Sequence, residues 1–296
     1  LRPPGHPVLR AQFRQGILVG RLRALPGRIP RRPHAEPGRA VQPRSEVQAL
    51  PGCRPRAGRR THRHRPLRAA HLHQKSKIGN RKFIYGLPEL NKEAIKSAEN
   101  IANPGCFATC IQLALLPLAK AGLLNSEVHI SATTGSTGAG QKPGTTSHFS
   151  WRNNNLSVYK AFEHQHLNEI GESLTQLQAD FDKDINFIPY RGDFTRGIMA
   201  SCYLDCDLSL QEVENLYQDF YADAPFTHIS KANIDLKQVV NTNKCLIHLE
   251  KHGNKLMILS IIDNLLKGAS GQAVQNMNLM FGLEESMGLR LKASFF

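Results

Sequence analysis

The sequence predicts an α/β or α+β protein in which helices cover a mixed sheet. Strand-like and helix-like segments intermix after residue 79, and this intermixing is typical of both classes. Ser209-Leu210-Gln211-Glu212 forms a capping-box pattern directly before an amphipathic stretch. The chain has 296 residues, enough to bury a sizeable core in one large domain or two ordinary ones.

The first quarter of the chain differs from the rest in composition. Residues 1–74 contain 17 Arg, no Lys or Asp and two Glu, a net charge of +15. Residues 75–296 contain 21 Lys plus Arg against 22 Asp plus Glu. Because the basic charge is confined to the first quarter, attraction to nucleic acid cannot be assigned to the remainder. We therefore do not expect nucleic acid to be a partner of the remainder.

Residues 1–78 are predicted to form one basic, Arg- and Pro-rich segment without regular structure. Eleven of the 17 prolines lie in residues 1–74, and the apolar residues there follow neither a strand nor a helix period. Three interpretations stay open: a basic arm that binds nucleic acid, a disordered tail, or a GC-rich gene translated in the wrong frame. Phe13 is the only aromatic residue before Phe83, so base stacking is not favoured.

The rest of the sequence predicts regular elements in chain order. Pro104-Gly105 opens an apolar helix that Gly122 ends, and His252-Gly253-Asn254 is the turn of a hairpin. The predicted strands cover 82–86, 128–134, 185–188, 198–206, 245–250 and 255–262. The predicted helices cover 91–97, 106–121, 167–177, a segment that starts at Ser209, and 272–281.

Cysteine usage and hydropathy bear on the compartment. The six cysteines are spread without a CxxC pair, and no secretory signal precedes them, which predicts reduced thiols and a cytoplasmic location. No apolar run approaches the roughly 18 residues that a membrane span needs, so no membrane partner is expected. The cysteines are Cys53, Cys106, Cys110, Cys202, Cys206 and Cys245.

Cys106 is the first candidate for chemistry. A thiol in the first turn of a helix lies where unpaired backbone N–H groups and the helix dipole stabilise a thiolate. Such a thiolate can attack an activated carbonyl and form a thioester. The alternative from position alone is a buried core cysteine, because free cysteine is among the most buried residue types.

Three further patterns carry chemistry-bearing residues. The loop 135–140 is rich in glycine, so its backbone N–H groups could approach phosphate or nicotinamide, or it could be a tight turn. His164 and His166 could exchange protons with a thiol or lie on the surface. No third ligand stands at metal-site spacing from this pair, so no metal is predicted. Arg196 could bind an anionic group or be exposed.

The motifs resemble those of the N-acetyl-gamma-glutamyl-phosphate reductases, which act in arginine biosynthesis. Ile101-Ala102-Asn103-Pro104-Gly105-Cys106-Phe107-Ala108-Thr109 resembles their active-site signature, although Cys110 stands where Gly or Ala is usual. Residues 134–140 resemble their Ser-Gly-x-Ser-Gly-Ala-Gly loop, with Thr134 and Thr137 in place of Ser. Residues 164–170 resemble their His-x-His-x-x-Glu-Ile block, and 263–276 resemble the stretch at their nicotinamide pocket.

The resemblance covers about residues 80–290 and implies a reaction. It implies reduction of N-acetyl-L-glutamyl 5-phosphate by NADP(H) through a thioester on Cys106, with phosphate released. His166 is implied as acid/base and His164 as its substrate-side neighbour, or the reverse. Substrate contacts are implied for Arg196, Asn103 and Ser136. Cofactor contacts are implied for Gly135, Gly138, Ala139, Gly140, Asn264, Lys267, Gly268 and Asn276.

The resemblance also implies an architecture. We expect a remnant of a dinucleotide-binding domain at 79–105, a catalytic domain at 106–262, and a cofactor-side loop with a final helix at 263–296. The catalytic domain is expected to be of the glyceraldehyde-3-phosphate dehydrogenase type. A homo-oligomer, dimer or tetramer, is implied as well.

The Gly-x-x-Gly-x-x-Gly loop of a Rossmann domain is not found in the sequence. Gly16 to Gly20 flank Ile-Leu-Val, but no helix pattern follows, so the Rossmann domain is predicted to be missing or scrambled. Three alternatives to the reductase therefore stay open. They are an inactive remnant, an aspartate-semialdehyde dehydrogenase-like enzyme, and a basic nucleic-acid-binding protein.

Overall fold

A computed structural model of the chain describes residues 9–14, 17–22, 75–78 and 81–294, the first three segments as backbone strands only. Within the described residues the strands are β1 (Leu9–Arg14), β2 (Ile17–Leu22), β3 (Lys75–Ile78), β4 (Arg81–Tyr85), β5 (Ile101–Ala102), β6 (Val128–Thr134), β7 (Ser157–Val158), β8 (Ile185–Arg191), β9 (Ile198–Asp205), β10 (Thr227–Ser230), β11 (Cys245–His252) and β12 (Lys255–Ile262). The α-helices are α1 (Pro88–Lys96), α2 (Cys106–Lys120), α3 (Phe149–Arg152), α4 (His166–Leu177), α5 (Leu210–Phe220) and α6 (Gly271–Met280).

Seven strands form a mixed sheet in the order β10-β11-β12-β9-β6-β8-β7. The pairs β10–β11 and β6–β8 are parallel and the others are antiparallel. Alternate residues of β9 are buried, as expected for a strand with one covered face. The predicted mixed sheet with helices is confirmed.

Helices α2, α4 and α5 pack together on one face of this sheet. The opposite face is covered in part by Ile234 and Val239, which pack with Ile261 in a small second cluster. Elsewhere that face is open: Ser131 is exposed and the Tyr203 side chain is 44% exposed. The helices and the sheet therefore form two layers, and the second face of the sheet is largely uncovered.

Helix α2 is the centre of the core, and its position follows from its composition. Every residue from Phe107 to Ala119 is buried. Pro117 removes a backbone N–H from the helix interior and leaves the Leu113 carbonyl without its helical donor. The hydroxyl of Tyr221 donates to that carbonyl at 2.6 Å, and the hydroxyl of Tyr217 donates to the next one, Ala114, at 2.5 Å. Helix α5 thus compensates for the proline that α2 contains.

A second, three-stranded sheet of β3, β4 and β5 precedes α2. Strands β4 and β5 are parallel with α1 between them, the arrangement of a βαβ unit. Helix α1 begins at Pro88, three residues before the predicted start, because proline is favoured in the first helical turn.

Most predicted elements agree with the structure, and the differences are local. Strand β6, strand β12 and the capping box at Ser209 are as predicted, whereas β8 continues three residues beyond 188. The sequence did not predict β5, β7, β10 or α3, since two to four residues are too short for a periodic pattern.

Strands β1 and β2 pair as an antiparallel hairpin in the stretch where the sequence predicts no regular structure. For these twelve residues, and for the four residues of β3 (Lys75–Ile78), that expectation is wrong. The remaining residues of 1–74 lie outside the described part of the chain, so disorder or a frame error there stays a prediction.

Candidate active site

Cys106 is the first residue of α2 and is half-buried. A Cβ atom added to Gly268 would lie 2.9 Å from the Cβ of Cys106, so only a glycine fits behind the nucleophile. Burial raises the pKa of the Cys106 thiol to about 11, although a hydrogen bond from the Phe107 backbone N–H favours the thiolate. Desolvation thus opposes the thiolate that the sequence predicts at this helix start and outweighs the backbone donors.

His164 and His166 lie edge to face, with ring centroids 4.5 Å apart. Burial, and then the charge of Lys160, lowers the pKa of His164 to about 4. Burial, and then His164 and Lys160, lowers the pKa of His166 to about 3. Desolvation thus lowers both pKa values below the neutral range in which the sequence predicts that a histidine exchanges protons. The backbone N–H of His166 donates to Nδ1 of His164 at 3.3 Å, which places the His164 proton on Nε2.

The His166 imidazole lies against the residue that precedes Cys106. A Cβ atom added to Gly105 would be 2.3 Å from Nε2 of His166. Because consecutive Cα atoms are about 3.8 Å apart, Nε2 lies within roughly 8 Å of the Cys106 Cα. Nδ1 of His166 is buried and has no hydrogen-bond partner among the described residues, so it is available to a substrate.

Glu169 completes this group and was not assigned a role from the sequence. Its Oε2 accepts the Gly105 backbone N–H at 2.9 Å and the Tyr85 hydroxyl at 3.1 Å. Its Oε1 is 3.9 Å from Nε2 of His166. Burial raises the pKa of the Glu169 carboxyl, against the hydrogen bonds from Gly105 and Tyr85. The sequence signal was available: His and Glu three apart at a helix start share one face.

Arg196, predicted to bind substrate, is engaged by a carboxylate of the chain itself. Its Nε is 3.0 Å from Oδ2 of Asp263 and its Nη2 donates to Oδ1 at 3.2 Å. The carboxylate of Asp263 is fully buried and also accepts the backbone N–H groups of Asn241, Leu265 and Leu266. The Arg196 side chain is 28% exposed. Part of it therefore reaches the surface, while its contacts with Asp263 hold the loop that begins at residue 263.

The glycine-rich loop 135–140 uses its N–H groups internally. The N–H groups of Gly135, Ser136 and Thr137 donate to carbonyls of the segment 194–197, and those of Gly138 and Gly140 donate within the loop. A Cβ atom on Gly135 would meet the Thr195 carbonyl oxygen at 2.6 Å, and Gly140 has φ +82°. The glycines of this loop therefore allow close packing and a tight turn, the alternative that the sequence left open. The implied substrate contact of Ser136 and the implied cofactor contacts of Gly135, Gly138, Ala139 and Gly140 stay predictions.

Three asparagines predicted at the substrate or cofactor join segments of the protein instead. Asn264 accepts the Gly197 N–H at 2.7 Å and donates to Thr137 at 3.0 Å. Asn276 donates to the Gly86 carbonyl at 2.8 Å and to Asn103 at 3.1 Å, while Asn103 donates to the Ala269 carbonyl at 3.1 Å. These amides hold the βαβ unit and α6 beside the start of α2.

Lys267, predicted to bind the cofactor, is fully buried. Its ammonium is 2.6 Å from Oε1 of Glu89 and donates to Gln275 at 2.9 Å. A direct contact with a ligand would have to break this ion pair. Lys267 therefore connects α1 to the turn Leu266–Ser270 through its ion pair with Glu89. Gly268, the next residue, lies beside Cys106.

The described residues offer neither a cluster of metal ligands nor a membrane-spanning helix. Residues 81–294 hold no group of three or more His, Cys, Asp or Glu side chains arranged to bind a metal. In the same range, none of the helices is long and apolar enough to cross a bilayer.

The chain is similar to known proteins over this part. Residues 106–264 match the family model described as semialdehyde dehydrogenase, dimerisation domain. N-acetyl-gamma-glutamyl-phosphate reductases from Phocaeicola vulgatus and Bacteroides fragilis are 68% and 69% identical over 214 residues, which is 72% of this chain and 66% of each relative. The one from Flavobacterium johnsoniae is 64% identical over 225 residues, 76% of this chain and 69% of the relative.

Solved structures show the same fold at low identity. Aspartate semialdehyde dehydrogenase II from Vibrio cholerae superposes with a TM-score of 0.53 at 14% identity, covering 68% of each chain. The chain spans slightly less than two thirds of the length of the Phocaeicola and Bacteroides relatives. The family model covers more than half of the chain, and the identities reach 69%. This chain belongs to the N-acetyl-gamma-glutamyl-phosphate reductase family.

Proposed function

We propose that this chain carries the catalytic domain of an NADPH-dependent reductase of N-acetyl-L-glutamyl 5-phosphate, which yields the 5-semialdehyde and phosphate in arginine biosynthesis. The observation that carries the proposal is the junction at Gly105: its N–H binds Glu169, the His166 ring packs against it, and Cys106 follows it. A nucleophile, a base and a carboxylate beside the base are thus joined at one helix start.

The resting protonation states favour a general-base mechanism over a preformed ion pair. With the thiol pKa at about 11 and the His166 pKa at about 3, both groups start neutral. As the Cys106 sulfur attacks the acyl carbon, its proton passes to His166 and phosphate leaves. The imidazolium that forms is compensated by Glu169, whose Oε1 is 3.9 Å away.

The start of α2 supplies donors for the oxyanion. The first intrahelical bond in this turn is from the Thr109 N–H to the Gly105 carbonyl, so the N–H groups of residues 106–108 have no acceptor within the helix, and those of Cys106 and Phe107 are directed at the Cys106 sulfur. Donors fixed before the reaction stabilise a developing negative charge without reorganisation. The product of this step is a thioester on Cys106.

The cofactor is the part that the described residues support least. A nicotinamide cofactor would supply the hydride that reduces the thioester, and NADPH is the form implied by the resemblance. In loop 135–140 the N–H groups of Gly135, Ser136, Thr137, Gly138 and Gly140 are bonded within the protein and are not presented to a pyrophosphate.

The proposal includes a homodimer and a cytoplasmic location. The uncovered face of the seven-stranded sheet carries Tyr203, stacked on His129 with ring centroids 5.0 Å apart, and the half-buried Met257. A dimerisation domain that left this face in water would expose aromatic and apolar side chains. Five free cysteines among the described residues support a reducing compartment.

Turnover tests the proposal. N-acetylglutamyl phosphate and NADPH should be supplied to this chain and to the same chain with a dinucleotide-binding domain restored at its amino terminus. We expect the restored chain to release phosphate and oxidise NADPH, and Cys106→Ser to lower that rate by at least about a thousandfold, since the nucleophile is lost.

Cys202→Ser is the matched control, because Cys202 is buried in the sheet away from this junction. Activity should persist in that variant if it folds, which far-UV circular dichroism reports. Turnover that survives Cys106→Ser would contradict the proposal.

A further inference from the structure

Arg191 is an arginine of the same pocket for which the described residues supply no carboxylate. It is the last residue of β8 and pairs with Ser157 of the edge strand β7. Its Nε is buried and has no hydrogen-bond partner among the described residues. No ion pair to Arg191 occurs in residues 81–294, whereas Arg196, five residues on, is held at two points by Asp263. Arg191 is half-buried, and charges withdrawn from water are normally paired.

The Arg191 guanidinium is separated from His164 by one aromatic ring, that of Tyr159. Its central carbon lies 4.4 Å over the Tyr159 ring, and Tyr159 packs edge to face against His164 with centroids 5.8 Å apart. Cys106 and Tyr159 are close enough for the charge of one to affect the pKa of the other, and Arg191 lowers the pKa of Cys106 and of His164. Arg191, Tyr159, His164 and Cys106 therefore border one space.

The remaining charges around this space are mostly positive. Arg152 is buried behind Arg191 and donates to the carbonyls of Thr146, Asn155 and Arg191. Lys160 is exposed and acts on both histidines. Asp193 is exposed and accepts the Asn154 N–H, Glu163 beside His164 is exposed, and Glu169 accepts the Gly105 N–H.

We propose that Arg191 binds an oxyanion of the substrate beside Cys106, either the phosphoryl group or a carboxylate. This inference rests on the proposed function for the identity of the substrate. The planar guanidinium is suited to two-point binding of either group. Stacking on Tyr159 fixes the plane of the guanidinium before the ligand arrives.

The rate of Cys106 alkylation by two reagents of similar size tests the inference without turnover or cofactor. Iodoacetate is an anion and iodoacetamide is neutral, so the ratio of their rates reports the attraction of an anion and cancels the thiolate fraction. Peptide mass spectrometry reads Cys106 separately from the other cysteines. We expect Arg191→Gln to lower the iodoacetate-to-iodoacetamide ratio about 3- to 10-fold, the effect of one charge at close range in a partly wet pocket.

Two further variants keep the result interpretable. Arg191→Lys keeps the charge and should retain most of the ratio. Arg290→Gln removes an equal charge from an exposed arginine bound to Glu284 and should leave the ratio unchanged. An unchanged ratio in Arg191→Gln, with unfolding behaviour like that of the parent, would overturn the inference.

Competition distinguishes the two sources of the oxyanion. Protection of Cys106 from iodoacetamide by inorganic phosphate would indicate the phosphoryl group, and protection by N-acetyl-L-glutamate would indicate a carboxylate. Protection by either compound supports the inference if the Arg191→Gln substitution weakens that protection. Protection by neither compound, or protection unaltered by Arg191→Gln, overturns it. Acylation of Cys106 by an acyl phosphate with an unchanged alkylation ratio would refute the role of Arg191 and leave the proposed function intact.

Discussion

Two carboxylates on either side of the start of α2 have opposite surroundings. Asp263 is fully buried, and Arg196 together with three backbone N–H groups occupies its oxygens. Glu169 is half-buried, accepts one N–H and one hydroxyl, and faces a neutral imidazole with no cation bound. Its pKa is raised by burial. The comparison shows that Asp263, whose charge is balanced by Arg196, holds the loop between β12 and α6 in place, whereas Glu169, which has no bound cation, can change its protonation state.

The two arginines of the β8–β9 connection repeat this contrast. Arg196 is bound by a carboxylate of the chain, and Arg191 is not. Nδ1 of His166 and Nε of Arg191 are both buried without a hydrogen-bond partner among the described residues. Unsatisfied buried groups are rare in proteins, and these two side chains are connected through the rings of His164 and Tyr159.

The largest expected effect on stability is at the compensated carboxylate. Asp263→Asn should lower the free energy of unfolding by about 3 kcal/mol, because it leaves the Arg196 guanidinium partly buried without a counter-charge. Chemical denaturation measures this. Asp205→Asn is the matched control, since Asp205 forms an exposed pair with Lys255 and should change the stability by less than about 0.5 kcal/mol. Equal losses in both variants would break the comparison.

The uncompensated carboxylate should respond differently. Glu169→Gln keeps an acceptor for the Gly105 N–H and should change the free energy of unfolding by less than about 1 kcal/mol. Because Glu169 raises the pKa of Cys106, its neutralisation should move the pH profile of Cys106 alkylation by iodoacetamide to lower pH. A large loss of stability with an unmoved profile would show that Glu169 is structural.

Acid should weaken the fold through the histidines. The folded-state pKa values of His166 and His164 are about 3 and about 4, against an ordinary value of 6.5. The unfolded chain therefore binds more protons below pH 6.5, so stability is complete above that pH and falls progressively from 6.5 toward 3. The raised pKa of Glu169 acts in the opposite direction. Denaturation at a series of pH values measures the balance.

Substitution separates this effect from acid unfolding in general. Replacing His164 and His166 by Asn together should flatten the decline between pH 6.5 and 4. His252→Asn removes an exposed histidine and should leave the slope as it is. A slope that the double variant does not alter would place the acid-sensitive groups elsewhere in the chain.

The sequence predicted the elements that local patterns determine. Pro104-Gly105 and Gly122 bound α2 almost to the residue, and the alternation of β6 and the turn at Gly253 predicted their strands. Cys106 was placed at a helix start for the same reason. These features depend on residues that are close together in the chain, so the sequence alone is enough to predict them.

The pairing and titration of the site residues could not be predicted in this way. Arg196 is bound by Asp263, 67 residues away, and Lys267 by Glu89, 178 residues away. The pKa of Cys106 rises because distant segments, among them the turn at Gly268, exclude water from it. Such contacts are set by tertiary packing, which no local pattern encodes.

Acyl transfer to Cys106 tests the central claim most directly. The intact chain should be incubated with N-acetylglutamyl phosphate in the absence of any nicotinamide cofactor and analysed by peptide mass spectrometry. We expect one acyl group on Cys106, removable by hydroxylamine, with an equal amount of phosphate released, and none in Cys106→Ser. A chain that releases no phosphate, or carries the acyl group on another residue, would contradict the account.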